Sequence, residues 1–293
     1  MEISRRSALK LGAGVAAAWA TGADLRGAPQ DPSPRAAKPQ EPKTNKKIPI
    51  GLQLYSLRDD CAKDLPGTLK AVGQMGYVAV EWAGYHGRKA EELRKLLDDN
   101  GLKCCGTHTG LETLTGDKLK ATAEFNKILG NRFLIVPSLP AANTASIQAL
   151  QDTAKLFTEL AERAKALDLR VGYHAHAGDL KPIDGQVPWD VIFANTGRDV
   201  VMQLDTSNCL AGGGDPVAIL KRYPGRATTI HLKEFGGKQG AVIGEGDVKW
   251  KEVFEICETT GGTEWYIVEQ EVYDGTPLDC VKRCLENLRK WGK

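Results

Sequence analysis

The feature that most constrains the fold is an alternation of short apolar runs with longer helical patterns, repeated eight times after residue 47. Such alternation of strands and helices builds a parallel sheet. Eight repeats over residues 48–293 predict an α/β fold with a single (β/α)8 TIM barrel, which typically needs about 250 residues. The predicted strands are Ile48–Leu54, Tyr77–Trp82, Lys103–Thr109, Phe133–Pro137, Arg170–His176, Val200–Asp205, Thr228–Lys233 and Trp265–Glu269.

The helical patterns between these strands end at recognisable stop signals, namely Gly76, Asn100-Gly101 and Gly130-Asn131. A doubly wound open sheet is the alternative architecture. It would usually place a glycine-rich phosphate loop after the first strand, and the segment that begins at Gly51 is not one. The helices are expected at Leu65–Met75, Ala90–Asn100, Gly116–Leu129, Ala145–Leu167, Pro216–Tyr223, Trp250–Thr259 and Pro277–Trp291.

The first 27 residues combine a charged start, a short apolar run and small residues, which are the three parts of an export signal. Arg5-Arg6 resembles the twin-arginine signal, although Ala8 stands where that pattern usually has Phe. A plain amphipathic helix is the alternative. The apolar run is shorter than the roughly 20 residues of a membrane-spanning helix, so the mature chain is expected to have no transmembrane helix.

This signal predicts three regions and a location. Residues 1–27 are expected to be a twin-arginine-type signal peptide, residues 28–47 a flexible linker rich in Pro and Lys, and residues 48–293 the barrel. The mature protein is expected to be exported, periplasmic or extracytoplasmic. Phosphorylated sugars are scarce outside the cytoplasm, which favours an unphosphorylated substrate.

Composition excludes some classes of function. The 39 basic and 37 acidic residues give a formal net charge of +2 and form no basic stripe, so nucleic acid is not an expected partner. The seven cysteines are odd in number and contain no CxxC pair, which favours buried thiols over a zinc site or a disulfide framework. Whether the chain forms a homo-oligomer stays open.

Polar side chains cluster where the predicted strands end, which is where a TIM barrel places its active site. Four of the five histidines belong to this set, and only His86 lies elsewhere. Imidazole and carboxylate groups that converge on one rim suit a divalent ion. An Asp after a strand can also be a helix cap, but capping does not account for the histidines. The set comprises Glu81, His108, His174, His176, Asp205, His231, Lys233 and Glu269.

At these residues the chain resembles the xylose-isomerase-like barrel superfamily, often called sugar phosphate isomerase/epimerase, over nearly all of residues 48–293. The resemblance implies a divalent metal ion (Mn, Co, Zn or Mg) bound by His174, Asp205, His231 and Glu269. It is carried by Leu204-Asp205-Thr206-Ser207-Asn208, Ala211-Gly-Gly-Gly-Asp215-Pro216, Arg226, His231-Leu-Lys233-Glu234, Gly244-Glu245-Gly246-Asp247-Val248-Lys249-Trp250 and Ile267-Val268-Glu269-Gln270-Glu271.

The strand-five position departs from part of this family. Tagatose-epimerase-like members have a Glu there, whereas this sequence resembles a branch with Tyr-His-Asn-His followed by Glu-Phe. Here Ala175 replaces the Asn, and Asp179-Leu180 replaces Glu-Phe. Epimerases of this type use two metal-bound carboxylates on opposite faces of the sugar, so His174 leaves Glu269 as the one obvious carboxylate.

We therefore expect a metal-dependent sugar isomerase or epimerase that removes a proton next to a carbonyl through an enediolate. Its small-molecule ligand would be a sugar or keto-sugar. One alternative is a lyase or hydratase that acts on a keto-sugar or 3-keto-glycoside with the same metal site. Another is a non-catalytic sugar-binding barrel. The catalytic candidates are Glu269, His108, Lys233, His176 and, if burial raises its pKa, Glu81.

Overall fold

In the computed structural model, the described part of the chain is residues 47–293. The predicted signal peptide and all of the predicted linker except Lys47 lie outside these residues. Eight strands are present, each overlapping one predicted run. They are β1 Ile50–Gln53, β2 Ala79–Ala83, β3 Lys103–His108, β4 Phe133–Val136, β5 Arg170–His174, β6 Val201–Gln203, β7 Thr229–Leu232 and β8 Trp265–Val268.

The strands form one parallel sheet that closes on itself. They pair in the order β6-β5-β4-β3-β2-β1-β8-β7. Between β6 and β7, the His231 amide donates to the Leu204 carbonyl at 2.9 Å, and Asp205 forms a parallel bridge with His231. Because this bridge brings the two end strands together, the sheet is a nearly closed barrel, and the predicted (β/α)8 fold is confirmed.

Nine α-helices are present among the described residues. They are α1 Arg58–Met75, α2 Ala90–Asp99, α3 Lys118–Leu129, α4 Ile147–Lys165, α5 Pro188–Asn195, α6 Thr206–Ala211, α7 Pro216–Arg222, α8 Trp250–Thr259 and α9 Pro277–Lys290. The predicted stop signals are confirmed, since Gly76 and Gly130 end α1 and α3 with left-handed φ values of 94° and 72°.

Two differences from the predicted helices have local causes. Helix α1 begins seven residues before the predicted start at Leu65, and it is kinked because Pro66 disfavours regular helix before it; Asp64 has non-helical φ and ψ values of −151° and 83°. Helices α5 and α6 were not among the predicted helices. The segment of α5 buries Trp189, Ile192 and Phe193 and shows little alternation of polar and apolar residues, and α6 has only 6 residues.

The barrel interior is divided into an apolar part and a polar part along the strands. Alternate residues of a strand face the same side, so each strand has more than one residue that faces the barrel interior. The first of these lies near the amino end of the strand, and the last lies near its carboxyl end. The inward-facing positions near the amino ends hold two small apolar clusters, which comprise Ala79, Cys105, Ile267, Phe133, Ile135, Val201 and Trp265. The polar site described below therefore rests on an apolar floor.

Two predictions about the chain as a whole can be compared with this fold. No helix within residues 47–293 is long and apolar enough to cross a membrane. All seven cysteines lie in the described residues, and each is a buried free thiol. Buried thiols were the expected arrangement, and that prediction is confirmed.

Candidate metal centre and active site

Four side chains from four neighbouring strands meet at the carboxyl end of the barrel. His174 ends β5, Asp205 follows β6, His231 lies in β7 and Glu269 follows β8. One potential ligand atom from each lies within 4.8 Å of the others, and all four residues are buried. We call these residues the quartet. Two imidazoles and two carboxylates in this arrangement could hold a divalent metal ion.

Two atoms of the quartet have no hydrogen-bond partner, although they are buried: Oδ2 of Asp205 and Nδ1 of His174. Buried polar atoms in folded proteins are nearly always satisfied. The other oxygen of Asp205 accepts the Asn208 amide at 2.6 Å and caps α6. Asp205 therefore serves as a helix cap with one oxygen, while the other accepts no hydrogen bond and lies 3.4 Å from the Lys233 ammonium, which fits a ligand to a cation.

The charge states of the two imidazoles differ. Burial, with help from the neighbouring His231 and His108, holds the pKa of His174 well below its usual value, so its ring is neutral. Burial would lower the pKa of His231 as well, but the carboxylates of Glu81 and Glu269 raise it to about 10. A neutral imidazole is the form that binds metal, so His174 is ready as a ligand and His231 must first release a proton.

Directly beneath the quartet, Glu81 is the centre of a hydrogen-bond network. The Glu81 side chain has no exposed surface. Its carboxylate accepts from Gln53 Nε2 and Gln203 Nε2, each at 2.8 Å, and lies 2.6 Å from His231 Nε2 and 3.3 Å from His108 Nε2. Both carboxylate oxygens therefore have partners. The buried carboxylate is fully satisfied by protein groups alone.

This network fixes the orientation of the His231 ring. With Nε2 held by Glu81, Nδ1 faces the quartet, 3.3 Å from Glu269 Oε2 and 3.9 Å from Asp205 Oδ2. A carboxylate on the far nitrogen is a common way for proteins to orient a metal-binding histidine. Glu81 is thus a positioning residue for His231.

Acid–base catalysis by Glu81 was expected only if burial raised its pKa, and this condition is not met. Burial would raise the pKa of Glu81, but the charges of His108 and His231 and the hydrogen bonds from His231 and Gln203 outweigh it and lower the pKa. Glu81 is also absent from the residues that line the pocket described below. Its predicted role next to the substrate therefore changes to a role behind His231.

Lys233 brings a positive charge to the quartet. Its Nζ lies 3.4 Å from Asp205 Oδ2 and 3.3 Å from Glu269 Oε2, and it donates to Glu271. Burial would lower the pKa of Lys233, but these three carboxylates raise it above its ordinary value. Lys233 therefore remains an ammonium ion, which stabilises the two quartet carboxylates and excludes it as a base in this arrangement.

A pocket of about 390 Å³ opens above the quartet, and Glu269 and His174 reach its wall. The predicted residue His108 also lines it, with its ring centroid 4.9 Å from that of His174. His176 lies on the rim and is exposed. Of the predicted catalytic residues, the structure thus brings Glu269, His108 and His176 to the pocket.

Several residues of the site were not selected from the sequence. Gln203 lies two positions before Asp205, so strand alternation could have placed it on the same inner face. Tyr55, which follows β1, is 45% exposed at the mouth of the pocket and presents an aromatic ring there. Glu245, which belongs to one motif of the family resemblance, does not line the pocket and pairs with Arg283 at 2.7 Å, which supports a role in shaping its loop.

A nearly closed parallel barrel with a His/Asp/His/Glu cluster at its carboxyl end defines the class of this protein: a (β/α)8 barrel with a candidate metal centre. The sequence pattern of the family described as "Xylose isomerase-like TIM barrel" matches residues 69–291. The chain therefore belongs to this family, as its motifs led us to expect.

Two relatives are similar to this chain in sequence over most of their length. The chain is 25% identical to the rhizopine catabolism protein MocC of Rhizobium meliloti, across 76% of this chain and 80% of MocC. It is 26% identical to an inosose dehydratase of Geobacillus kaustophilus, across 66% of this chain and 71% of that protein.

A solved structure of a sugar phosphate isomerase/epimerase from Parabacteroides distasonis superimposes with a TM-score of 0.72 at 26% identity. The match covers 83% of this chain and 98% of that one. Together these similarities place the chain in an enzyme superfamily whose members include dehydratases and isomerases.

Proposed function

We propose that the protein is a divalent-metal-dependent lyase that eliminates a β-substituent from a keto-sugar or keto-polyol. The observation that carries this proposal is the composition of the quartet. Asp205 caps α6, and strand five supplies His174, so Glu269 is the one quartet carboxylate that lines the pocket. Elimination needs one base and one acid, whereas inversion by two carboxylates needs a second carboxylate on the opposite face.

The quartet residues would hold the metal ion, which when bound supplies a Lewis acid that polarises the substrate carbonyl. The mixed nitrogen and oxygen donors favour Zn, Mn or Co over Mg. The unsatisfied Asp205 Oδ2 and His174 Nδ1 support this assignment. They also argue against a barrel that only binds sugar, since such a protein would leave buried polar atoms unsatisfied without a use for them.

The protein groups then divide the proton transfers between them. Glu269 is ionised, because His231 and Lys233 outweigh burial and hold its pKa well below the usual value. We assign Glu269 as the base that takes the proton next to the carbonyl. The C–O bond at the next carbon breaks as the C=C bond forms, and the leaving oxygen takes a proton from His176 at the rim. No oxidant or reductant is consumed.

Isomerisation or epimerisation is the second candidate. Its support is His108, whose ring lines the pocket and stacks on that of His231 at a centroid distance of 5.4 Å. A histidine that returned the proton to the same enediolate, in place of leaving-group loss, would give an isomer. The similarity to a sugar phosphate isomerase/epimerase agrees with this candidate, as the similarity to inosose dehydratases agrees with the first.

We also propose that the protein acts outside the cytoplasm, on the basis of the twin-arginine-like segment among residues 1–27. The boundaries at residues 27 and 47 belong to the same proposal. Mass spectrometry of the protein recovered from the periplasm of a producing cell would locate the cleavage site. A full-length chain confined to the cytoplasm would contradict the proposal.

One experiment distinguishes elimination from isomerisation. Metal-loaded enzyme is incubated in D2O with a panel of 3-keto-glycosides and inososes, and products are analysed by mass spectrometry and by enone absorbance. The lyase proposal predicts loss of water or alcohol and a new conjugated carbonyl. Deuterium incorporation without loss of a substituent would establish the isomerase, and unchanged substrates throughout would contradict both.

A further inference from the structure

A second cavity of about 360 Å³ adjoins the pocket above the quartet. The two cavities share His176, and Pro137 of the first is followed directly by Ser138 of the second. No lysine or arginine lines this second cavity among the described residues. Its wall combines the half-buried apolar side chains of Leu139 and Ile183 with hydroxyl groups and the Asp179 carboxylate. A lining with a carboxylate and no cation suits an uncharged group with an apolar face.

A tight turn builds one wall of this cavity. Ile183 and Gln186 pair in antiparallel fashion through hydrogen bonds of 2.8 and 3.0 Å. Asp184 and Gly185 between them have φ values of 49° and 75°, the backbone of a two-residue Asp-Gly hairpin turn. Ile183 is thus held at the cavity by a fixed hairpin in the loop after β5.

His176 at the junction is also held in place. Its backbone amide donates to Asp179 Oδ2 at 2.8 Å, and Tyr173 donates to the other oxygen of Asp179 at 2.7 Å. The ring centroid of His176 lies 4.9 Å from that of His174. A bond between a sugar ring in the first cavity and a substituent in the second would therefore pass beside His176.

TIM barrels often bind phosphate at the loops after β7 and β8. The loop after β7 carries three lysines: Lys233 pairs with Glu271, Lys238 pairs with Asp274 at 2.6 Å, and Lys249 is exposed. None of the three lines either cavity, and neither cavity has a lysine or arginine in its described lining. This lining disfavours a phosphorylated sugar in either cavity.

We propose that the second cavity binds an uncharged substituent on the leaving oxygen of the substrate, so that the enzyme cleaves keto-glycosides in preference to free keto-sugars. The substituent is an aglycone or a second sugar ring. This inference rests on the proposed lyase function for the identity of the bond that breaks. The cavity itself can be tested without that function.

The binding test uses metal-loaded protein and three kinds of probe: phenyl glycosides, methyl glycosides (both with gluco, galacto and manno rings) and glucose 1-phosphate. Calorimetry should show at least about tenfold tighter binding of one phenyl glycoside than of its methyl counterpart, because an apolar ring is buried. Glucose 1-phosphate should gain nothing over the methyl glycoside. Equal binding of phenyl and methyl glycosides, or no binding of any probe, would overturn the inference.

Ile183→Trp, which fills the second cavity, should abolish the preference for the phenyl glycoside. Ile128→Trp is the matched control, because Ile128 is a 41% exposed residue of α3 that lines neither cavity. Thermal unfolding of both variants checks that they fold. A phenyl preference that persists in a folded Ile183→Trp variant would contradict the assignment of the cavity.

The kinetic test separates the failure of this inference from failure of the lyase proposal. Wild-type enzyme should cleave a benzyl 3-keto-glycoside at least about tenfold faster, in kcat/KM, than the matching methyl 3-keto-glycoside, as expected from burial of the ring, because the two leaving alcohols are of nearly equal basicity. If the two react equally fast, the lyase stands and the second cavity has no such role. If neither reacts while the phenyl preference in binding remains, the cavity stands and the lyase proposal fails.

Discussion

The Glu81 network and the quartet are neighbours inside the barrel, and they differ in whether their buried polar atoms have hydrogen-bond partners. The carboxylate of Glu81 has hydrogen-bond partners on both oxygens, whereas Asp205 Oδ2 and His174 Nδ1 have none, and Lys233 Nζ lies 3.4 Å from Asp205 Oδ2. Both groups are largely buried, and His231 belongs to both. Protein groups alone satisfy the Glu81 carboxylate, whereas the quartet has buried atoms whose partner would be a ligand that the chain does not supply.

The largest effect is expected at Glu269. Glu269→Gln removes the proposed base and one quartet charge with little change in shape, so turnover of a keto-glycoside should fall by about 100- to 10,000-fold. Thermal unfolding should show a folded protein. Turnover close to that of wild type would show that the site lies elsewhere.

Asp205→Asn separates the two roles of Asp205. Asn caps a helix as well as Asp does, so the fold should persist, whereas metal affinity should fall by more than the roughly 10- to 100-fold typical for loss of an outer partner. Asp215→Asn is the matched control, since Asp215 caps α7 by accepting the Val217 amide at 2.8 Å. Calorimetric titration with Zn or Mn measures both. Equal affinities in the two variants would reduce Asp205 to a cap.

Much of this comparison could be predicted from the sequence. The eight strands are apolar runs of the right length, and the quartet residues end consecutive strands, so the barrel brings them together once the strands are placed. The partners of Glu81 could not be found in the same way. Gln53 and Gln203 reach it across 28 and 122 residues, which depends on how the strands line up around the barrel.

The sign of the Glu81 pKa shift shows the same limit. Burial alone was the expected cause, and burial raises the pKa of a carboxyl group. The opposite sign comes from His108 and His231, which strands three and seven bring to the same carboxylate. Only the three-dimensional arrangement decides which influence is greater.

Glu81→Gln tests whether the network beneath the quartet orients His231. Loss of the carboxylate should weaken metal binding by about 10- to 100-fold, the range for partners of metal-binding histidines. Glu245→Gln, which changes a carboxylate paired with Arg283, is the control and should leave metal affinity unchanged. Unaltered affinity in a folded Glu81→Gln variant would contradict the positioning role.

The smallest effect is a pH dependence of the metal-free protein. The pKa of His231 is raised to about 10 in the fold from an ordinary value of 6.5. The stabilisation from its protonated ring is therefore complete below pH 6.5 and is lost as the pH rises towards 10. With EDTA, Tm should fall by roughly 10 °C between pH 7 and 10, because about 3 kcal/mol of linkage is lost at about 2–4 °C per kcal/mol for a domain of this size.

His231→Gln supplies the control for this measurement, because it removes the titrating ring. Its metal-free Tm should fall less than that of wild type over the same pH range. The wild-type protein saturated with Zn should also lose this component, since the ring must be neutral to bind the ion. Parallel curves for wild type and His231→Gln would exclude a raised pKa for His231.

Anomalous diffraction from crystals grown with Zn or Mn tests the central claim most directly. The account predicts one strong peak per chain among His174, Asp205, His231 and Glu269, with the Glu81 network unchanged beneath it. A metal-saturated crystal without a peak at the quartet, or with its peak at Glu81, would contradict the account.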